Sequence, residues 1–184
     1  MKGIKQKKYM NKKIIFIIGG ARSGKSNFAV SMAQKKPGNV FFIATCEPLD
    51  KEMKERVKKH KQDRPAQWKT IEEYYDISSA LLKIPSQNTV IIDCLTLWVS
   101  NFMIKKLKEE DILKEANNLM ITAKKINSYV IIVSTEVGGG IVPDNKMARE
   151  FRDILGRVNQ IVTKNSDEVY LMYTGIPIKI KPSK

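Results

Sequence analysis

Ile14-Ile15-Phe16-Ile17-Ile18-Gly19-Gly20-Ala21-Arg22-Ser23-Gly24-Lys25-Ser26 is the stretch on which the fold turns. Five apolar residues in a row read as a strand buried on both faces, and Gly19 to Ser26 matches the spacing G-x-x-x-x-G-K-[ST]. Glycines at that spacing let backbone N–H groups turn inward around a phosphate. Lys25 then reaches the β- and γ-phosphates, and the Ser26 hydroxyl is placed to bind Mg²⁺. Asn27 to Lys35 is compatible with a helix. The plain alternative is a glycine-rich turn with an exposed lysine, but the strand before it and the helix after it argue against that. The sequence predicts a nucleoside triphosphate site.

Outward from this stretch, short β-branched runs alternate with helical patterns. Strands are expected at 14–18, 40–44, 90–93, 130–134 and 168–173, with a final edge strand at 176–181. Leu95, Trp98, Val99, Phe102 and Met103 recur at helical spacing. So do Ile112, Leu113, Ala116, Leu119, Met120 and Ala123, and then Met147, Phe151, Ile154, Leu155, Val158 and Val162. Continuous apolar strands between amphipathic segments indicate a mostly parallel sheet with helices on both faces, an α/β three-layer domain of the P-loop NTPase type. In such sheets ligands sit at the carboxyl ends of the strands, which ranks the remaining polar clusters.

Composition narrows the classes. The 184 residues fit one domain, expected over 14–184 behind a basic, disordered tail at 1–13, or an extension upstream of a start at Met10. No run reaches the roughly 18 apolar residues of a membrane span, and five apolar residues after the tail are too few for a signal-peptide core; the expectation is a cytoplasmic protein. Two cysteines and one histidine without metal-ligand spacing speak against a zinc site or a disulfide framework. The net charge is +14, of which six belong to lysines in the first 13 residues. The remaining +8 suits polyphosphate substrates as well as nucleic acid, but aromatic residues are not interleaved with the basic ones as a single-strand binder needs.

Several residues carry chemistry. Asp93 closes the strand Val90-Ile91-Ile92, where an acid either holds Mg²⁺ beside a phosphate loop or caps the next helix; the phosphate loop favours the metal. Thr45-Cys46-Glu47 comes after the second strand at the same edge and lines the nucleotide pocket or forms an ordinary loop. Three glycines in Glu136 to Gly140 provide close approach to a ligand or a mobile turn. Arg149, Arg152 and Asp153 form either a solvated helix face or a subunit contact or anionic-substrate clamp. Drawn as a helix, Met53, Val57 and His60 share one face, and spacing alone reads His60 as a packed residue. Lys58, Lys59, Lys61 and Arg64 nevertheless favour its neutral, nucleophilic imidazole and attract a triphosphate.

Together these residues resemble the bifunctional adenosylcobinamide kinase/adenosylcobinamide-phosphate guanylyltransferase family of cobalamin biosynthesis. The resemblance runs from about Ile14 to Lys181. It rests on Gly19 to Ser26, Ile43-Ala44-Thr45, Asp50-x-Glu52-Met53-x-x-Arg56 leading to His60, and Arg64-Pro65-x-x-Trp68-x-Thr70-x-Glu72. It continues through Asp93-Cys94-Leu95-Thr96-Leu97-Trp98 with Asn101, and Glu136-Val137-Gly138-x-Gly140-Ile141-Val142-Pro143. The last pieces are Phe151-Arg152-Asp153, Gly156-Arg157-Val158-Asn159-Gln160 and Gly175-Ile176-Pro177-x-x-Ile180-Lys181.

The resemblance implies a two-step enzyme using ATP or GTP, with Mg²⁺. A nucleoside triphosphate phosphorylates adenosylcobinamide; a histidine then takes GMP from GTP and passes it to adenosylcobinamide phosphate. It places the guanylylated histidine at His60, which reverses the reading from spacing, with Lys25 as the other catalytic residue. It puts nucleotide contacts on Gly19, Gly20, Ala21, Arg22, Ser23, Gly24, Lys25 and Ser26, and on Thr45, Cys46 and Glu47. Further contacts fall on Lys61, Gln62, Asp63, Arg64, Glu72 and Asp93, with the metal at Ser26 and Asp93. It also implies a homotrimer, with no nucleic-acid partner and no membrane span. Two departures stand out: Lys59 precedes His60 where some relatives have a second histidine, and Asp93 stands where some have glutamate. A kinase-only member and a nucleic-acid-dependent ATPase are the competing readings.

Overall fold

A computed structural model describes residues 12–36, 38–48, 51, 54–55, 61 and 65–182. Its sheet has seven strands, β1 (Lys13–Gly19), β2 (Val40–Ala44), β3 (Lys69–Glu72), β4 (Thr89–Asp93), β5 (Tyr129–Thr135), β6 (Glu168–Tyr173) and β7 (Ile176–Lys181). They lie in the order β3-β2-β4-β5-β1-β6-β7, with all neighbours parallel except the antiparallel pair β6–β7. The helices described along their whole length are α1 (Lys25–Gln34), α2 (Ile77–Leu82), α3 (Leu95–Ile104), α4 (Glu109–Lys125) and α5 (Lys146–Asn165); residues 51, 54–55 and 61 are helical as well. The expected α/β three-layer architecture with a mostly parallel sheet is present.

Alternation along the central strands divides the core between two faces, as the two-residue period of a strand dictates. Ile14 and Phe16 join Phe41, Val90, Ile92, Val130 and Ile132 under α2, α3, α4 and α5. Ile15 and Ile17 join Phe42, Ile91, Ile131 and Val133 under Ala29 and Ala33 of α1. Strands buried on both faces must be apolar at every position, which explains the continuous runs of the sequence.

Two elements were not anticipated. β3 reads Lys-Thr-Ile-Glu and lies at the sheet edge with most of its residues exposed, so it carries no apolar run. The six-residue α2 is too short to show a helical period; Asp76 caps it, its carboxylate accepting from Ser79 N at 2.9 Å. β1 also begins at Lys13, the last residue of the basic stretch, whose ammonium pairs with Glu168 at 2.8 Å. Residues 1–11 lie outside the described residues.

The topology sets the site. β5 lies between β1 and β4, so the strand of the phosphate loop and the strand of Asp93 are about 10 Å apart, two inter-strand spacings. Registers Gly19↔Thr135, Val133↔Asp93, Asp93↔Ala44 and Ala44↔Glu72 bring the carboxyl ends of five parallel strands to one edge.

Candidate functional site

At the carboxyl end of β1 the chain folds back over itself in a tight loop. Arg22 and Gly24 both have positive φ, 55° and 89°, and a turn bond runs from Ser23 N to Gly20 O at 3.3 Å. Gly19 is required because a Cβ there would meet the Met172 carbonyl oxygen at 2.4 Å. Gly24 is also the N-cap of α1 and supplies no side-chain cap, so the first amides of the helix remain directed at the loop. The Ser23 hydroxyl is buried and has no hydrogen-bond partner among the described residues. This is the anion-binding form of a helix N-terminus, with glycine-lined amides around it.

Lys25 is 9% exposed and its ammonium donates to Gly20 O at 2.6 Å, lying back across the loop. Burial lowers its pKa, while the nearby Asp93 carboxylate pulls it the other way. The lysine of the loop and the acid at the end of β4 are thus within electrostatic reach despite the intervening strand. The N-cap residue of α3 is Cys94 rather than Asp93, and the Cys94 side chain makes no cap bond. The Cys94 thiol is pushed up to about 11 by burial first and the Asp93 charge second, which keeps it protonated.

Mg²⁺ takes oxygen ligands and keeps several waters, usually bound by one or two protein groups plus phosphates. Ser26, in the first turn of α1, and Asp93 offer such oxygens. Among the described residues no cluster of three or more His, Cys, Asp or Glu side chains could hold a metal by itself. The donor set fits a cation shared with a nucleotide rather than one caged by protein.

The far end of the edge is organised differently. Thr45, fully buried just past β2, accepts from Cys94 N and donates to Cys94 O, both at 2.7 Å, where the Asp93–Cys94 peptide is cis. Glu47 accepts a hydrogen bond from the Tyr75 hydroxyl. Glu72, at the end of β3, accepts from Tyr74 at 3.1 Å and pairs with Lys61. Tyr74 and Tyr75 are both pushed up to about 12, by burial first and by their carboxylate partners second. The Lys105 ammonium sits 3.4 Å from the Tyr75 ring centroid, and the Trp98 indole donates to Tyr75 O at 2.8 Å. Sequence reasoning missed the two tyrosines. The signal was Glu72-Glu73-Tyr74-Tyr75, polar and aromatic residues packed together immediately after an edge strand.

The glycine-rich segment after β5 is tied down by hydrogen bonds at both ends. Glu136 N donates to Gly19 O at 3.0 Å, and the Glu136 carboxylate accepts from Gly138 N and Gly139 N. Arg152 donates to the carbonyls of Gly138, Gly140 and Ile141, and Arg149 to those of Pro143 and Asp144. The two guanidinium groups therefore bind loop carbonyls.

Of the expected site residues, Gly19 to Ser26 and Asp93 lie around the phosphate loop, whereas Thr45 to Glu47, Lys61 and Glu72 gather around β2 and β3. Four inter-strand spacings, about 19 Å, separate Gly19 from Glu72 across the sheet. His60, Lys59, Gln62, Asp63 and Arg64 lie outside the described residues. No helix among the described residues is long and apolar enough to cross a membrane.

Comparison with known proteins gives this geometry a context. The family model described as cobinamide kinase / cobinamide phosphate guanyltransferase matches residues 15–180. The bifunctional adenosylcobalamin biosynthesis protein CobU of Salmonella typhimurium is 37% identical over 181 residues, covering 91% of this chain and 99% of that protein. CobP of Pseudomonas aeruginosa, a bifunctional adenosylcobalamin biosynthesis protein, is 33% identical over 170 residues, covering 90% and 95%. A solved protein of Pyrococcus horikoshii OT3 is similar in fold alone: 10% identity, a TM-score of 0.55, 94% of this chain and 87% of that one.

Proposed function

This chain belongs to the cobinamide kinase / cobinamide phosphate guanyltransferase family, and we propose that it carries out both reactions of that name in cobalamin biosynthesis. In the first, adenosylcobinamide receives the γ-phosphoryl group of ATP or GTP at its aminopropanol hydroxyl. In the second, a nitrogen of the His60 imidazole attacks the α-phosphorus of GTP. A P–N bond forms, the P–O bond to pyrophosphate breaks with its electron pair leaving on pyrophosphate, and the imidazole proton is lost. The phosphate of adenosylcobinamide phosphate then attacks the same phosphorus, the P–N bond breaks, and adenosylcobinamide-GDP is released.

The observation that carries this reading is the buried Lys25 ammonium held over a glycine loop at a helix N-terminus, with Asp93 close enough to influence it. The loop amides and Lys25 bind and orient the phosphates and meet the charge that grows on the leaving oxygens. Mg²⁺, held by the Ser26 hydroxyl and the Asp93 carboxylate, supplies further charge neutralisation when bound. Thr45, Cys46 and Glu47, with Lys61 to Arg64 and Glu72, contact the nucleoside end. Lys61 and Glu72 already pair, so the residue next to His60 in sequence is tied to the β3 end of the site. The active unit is a cytoplasmic homotrimer, which sedimentation of the purified chain tests.

Incubation with GTP radiolabelled at the α-phosphate tests the mechanism. The protein should acquire an acid-labile label that His60→Ala abolishes while phosphorylation of adenosylcobinamide persists. An unlabelled wild-type protein that still phosphorylates would leave a kinase only. Loss of both activities in a folded His60→Ala protein would merge the two roles.

A further inference from the structure

We propose that Asn101 is a positioning residue for the nucleoside part of the substrate. It locks the ends of β2 and β3 together and so sets Thr45 to Glu47 relative to Glu72. The proposal rests on the reading of those residues as nucleotide contacts.

Asn101 lies in α3, whose sequence Leu-Thr-Leu-Trp-Val-Ser-Asn-Phe-Met-Ile is otherwise mostly apolar, and it is 4% exposed. A buried amide at a position that could hold leucine costs free energy unless its hydrogen bonds are satisfied. Here the Nδ2 group donates to Thr45 O at 2.8 Å and to Tyr74 O at 3.1 Å. Both partners are carbonyls, which can only accept, so the orientation of the amide is set by the network itself. Neither carbonyl belongs to a strand: β2 ends at Ala44 and β3 at Glu72. One side chain thus bridges two segments at the point where the sheet ladder has stopped holding them.

The neighbouring turn of α3 repeats the device. Trp98, three residues earlier, donates to Tyr75 O, and Cys94 exchanges two bonds with the Thr45 hydroxyl. Each segment then presents a carboxylate: Glu47 bonded to Tyr75, and Glu72 bonded to Tyr74 and Lys61. The Asn101 amide donates to backbone carbonyls and not to these acids. It fixes the backbone that carries them. The phosphate loop is braced elsewhere, by Glu136 N on Gly19 O and by Gly175 N on Ser23 O at 3.1 Å. Loss of Asn101 should therefore separate nucleoside recognition from phosphate binding.

The test compares two ligands on the full chain by calorimetry, GTP and inorganic tripolyphosphate. Asn101→Asp keeps the side-chain size but leaves no donor for either carbonyl. GTP should bind about tenfold more weakly and tripolyphosphate within about twofold of wild type. In self-guanylylation, KM for GTP should rise while kcat is retained. Equal weakening of both ligands, or no weakening of GTP, would overturn the proposal. Should the aspartate variant not fold, Asn101→Leu makes the same prediction without a buried charge. Trp98→Phe, which removes only the donor to Tyr75, decides if neither Asn101 variant folds: selective loss of GTP binding supports the proposal and unchanged binding refutes it. Wild-type protein that binds tripolyphosphate but not GTP would break the nucleotide reading itself, and the proposal with it.

Discussion

The phosphate loop and the ends of β2 and β3 share one edge of the sheet but are held by different means. Around the loop three bracing bonds run from main chain to main chain, Glu136 N to Gly19 O, Gly175 N to Ser23 O and Ser23 N to Gly20 O, and the Lys25 ammonium adds one to Gly20 O. Around β2 and β3 two main-chain bonds, Thr45 N to Asp93 O and Glu73 N to Ala44 O, are outnumbered by side chains: the Thr45 hydroxyl, the Asn101 amide, the Trp98 indole and two tyrosine hydroxyls. In the first arrangement the backbone braces stay in place when Lys25 exchanges its bond to Gly20 O for a phosphate. The second commits its side chains to architecture. Substitutions in the loop should therefore cost activity without stability, and substitutions around β2 and β3 should cost stability as well as nucleoside binding.

The strongest challenge to this contrast is Lys25→Ala. Turnover with nucleoside triphosphate should fall by about 100-fold or more in both half-reactions, because the removed ammonium meets phosphate charge in the transition state. Thermal unfolding should show no loss of stability, since a buried, desolvated charge has been removed. Marked destabilisation would break the contrast.

Thr45→Val probes the other end. Valine fills the same volume but leaves the N–H of Cys94 without its partner and the C=O with Trp98 N alone, and Thr45 is fully buried. Urea denaturation should report a loss of about 2 kcal/mol. An unchanged midpoint would mean that the hydroxyl is not structural.

A smaller effect belongs to the Asp76 cap beside the same region. Its pKa is lowered, chiefly by the hydrogen bond to Ser79, so the stabilisation is present above the unfolded aspartate value and is lost as pH falls through the folded one. Asp76→Ala should cost about 1 kcal/mol at neutral pH and nothing in strong acid. A pH-independent difference would assign the effect to something other than the carboxylate.

The smallest effect is expected from Lys25 titration. Its lowered pKa means that the unfolded chain binds the proton more tightly. Stability should rise slightly as pH climbs from the lowered value toward that of an ordinary lysine. Lys25→Met should flatten that rise in alkaline urea titrations.

The same contrast explains what could be read from the sequence. Gly19, Gly24, Lys25 and the apolar strand before them act within a few residues of one another, so their pattern survives as text. The central strands were visible because burial on both faces demands unbroken runs such as Val90-Ile91-Ile92. β3 stayed hidden because its residues face solvent at an edge and need not be apolar. The pairing of Tyr75 with Glu47 and the reach of Asn101 to Thr45 span 28 and 56 residues, and no local period encodes a contact of that range. The resemblance marked Asn101 as part of a pattern; only the fold shows which carbonyls it meets.

The bond from Gly175 to Ser23 joins the last hairpin to one of the first loops. During synthesis the segment carrying Lys25 leaves the ribosome roughly ten seconds or more before the β6–β7 turn that braces it, at ordinary elongation rates. A nascent chain thus carries the glycine loop without this brace until nearly all of the described sheet has been made. Birth order and assembly order run in opposite directions here: the loop made early gains this brace only from a turn made about 150 residues later.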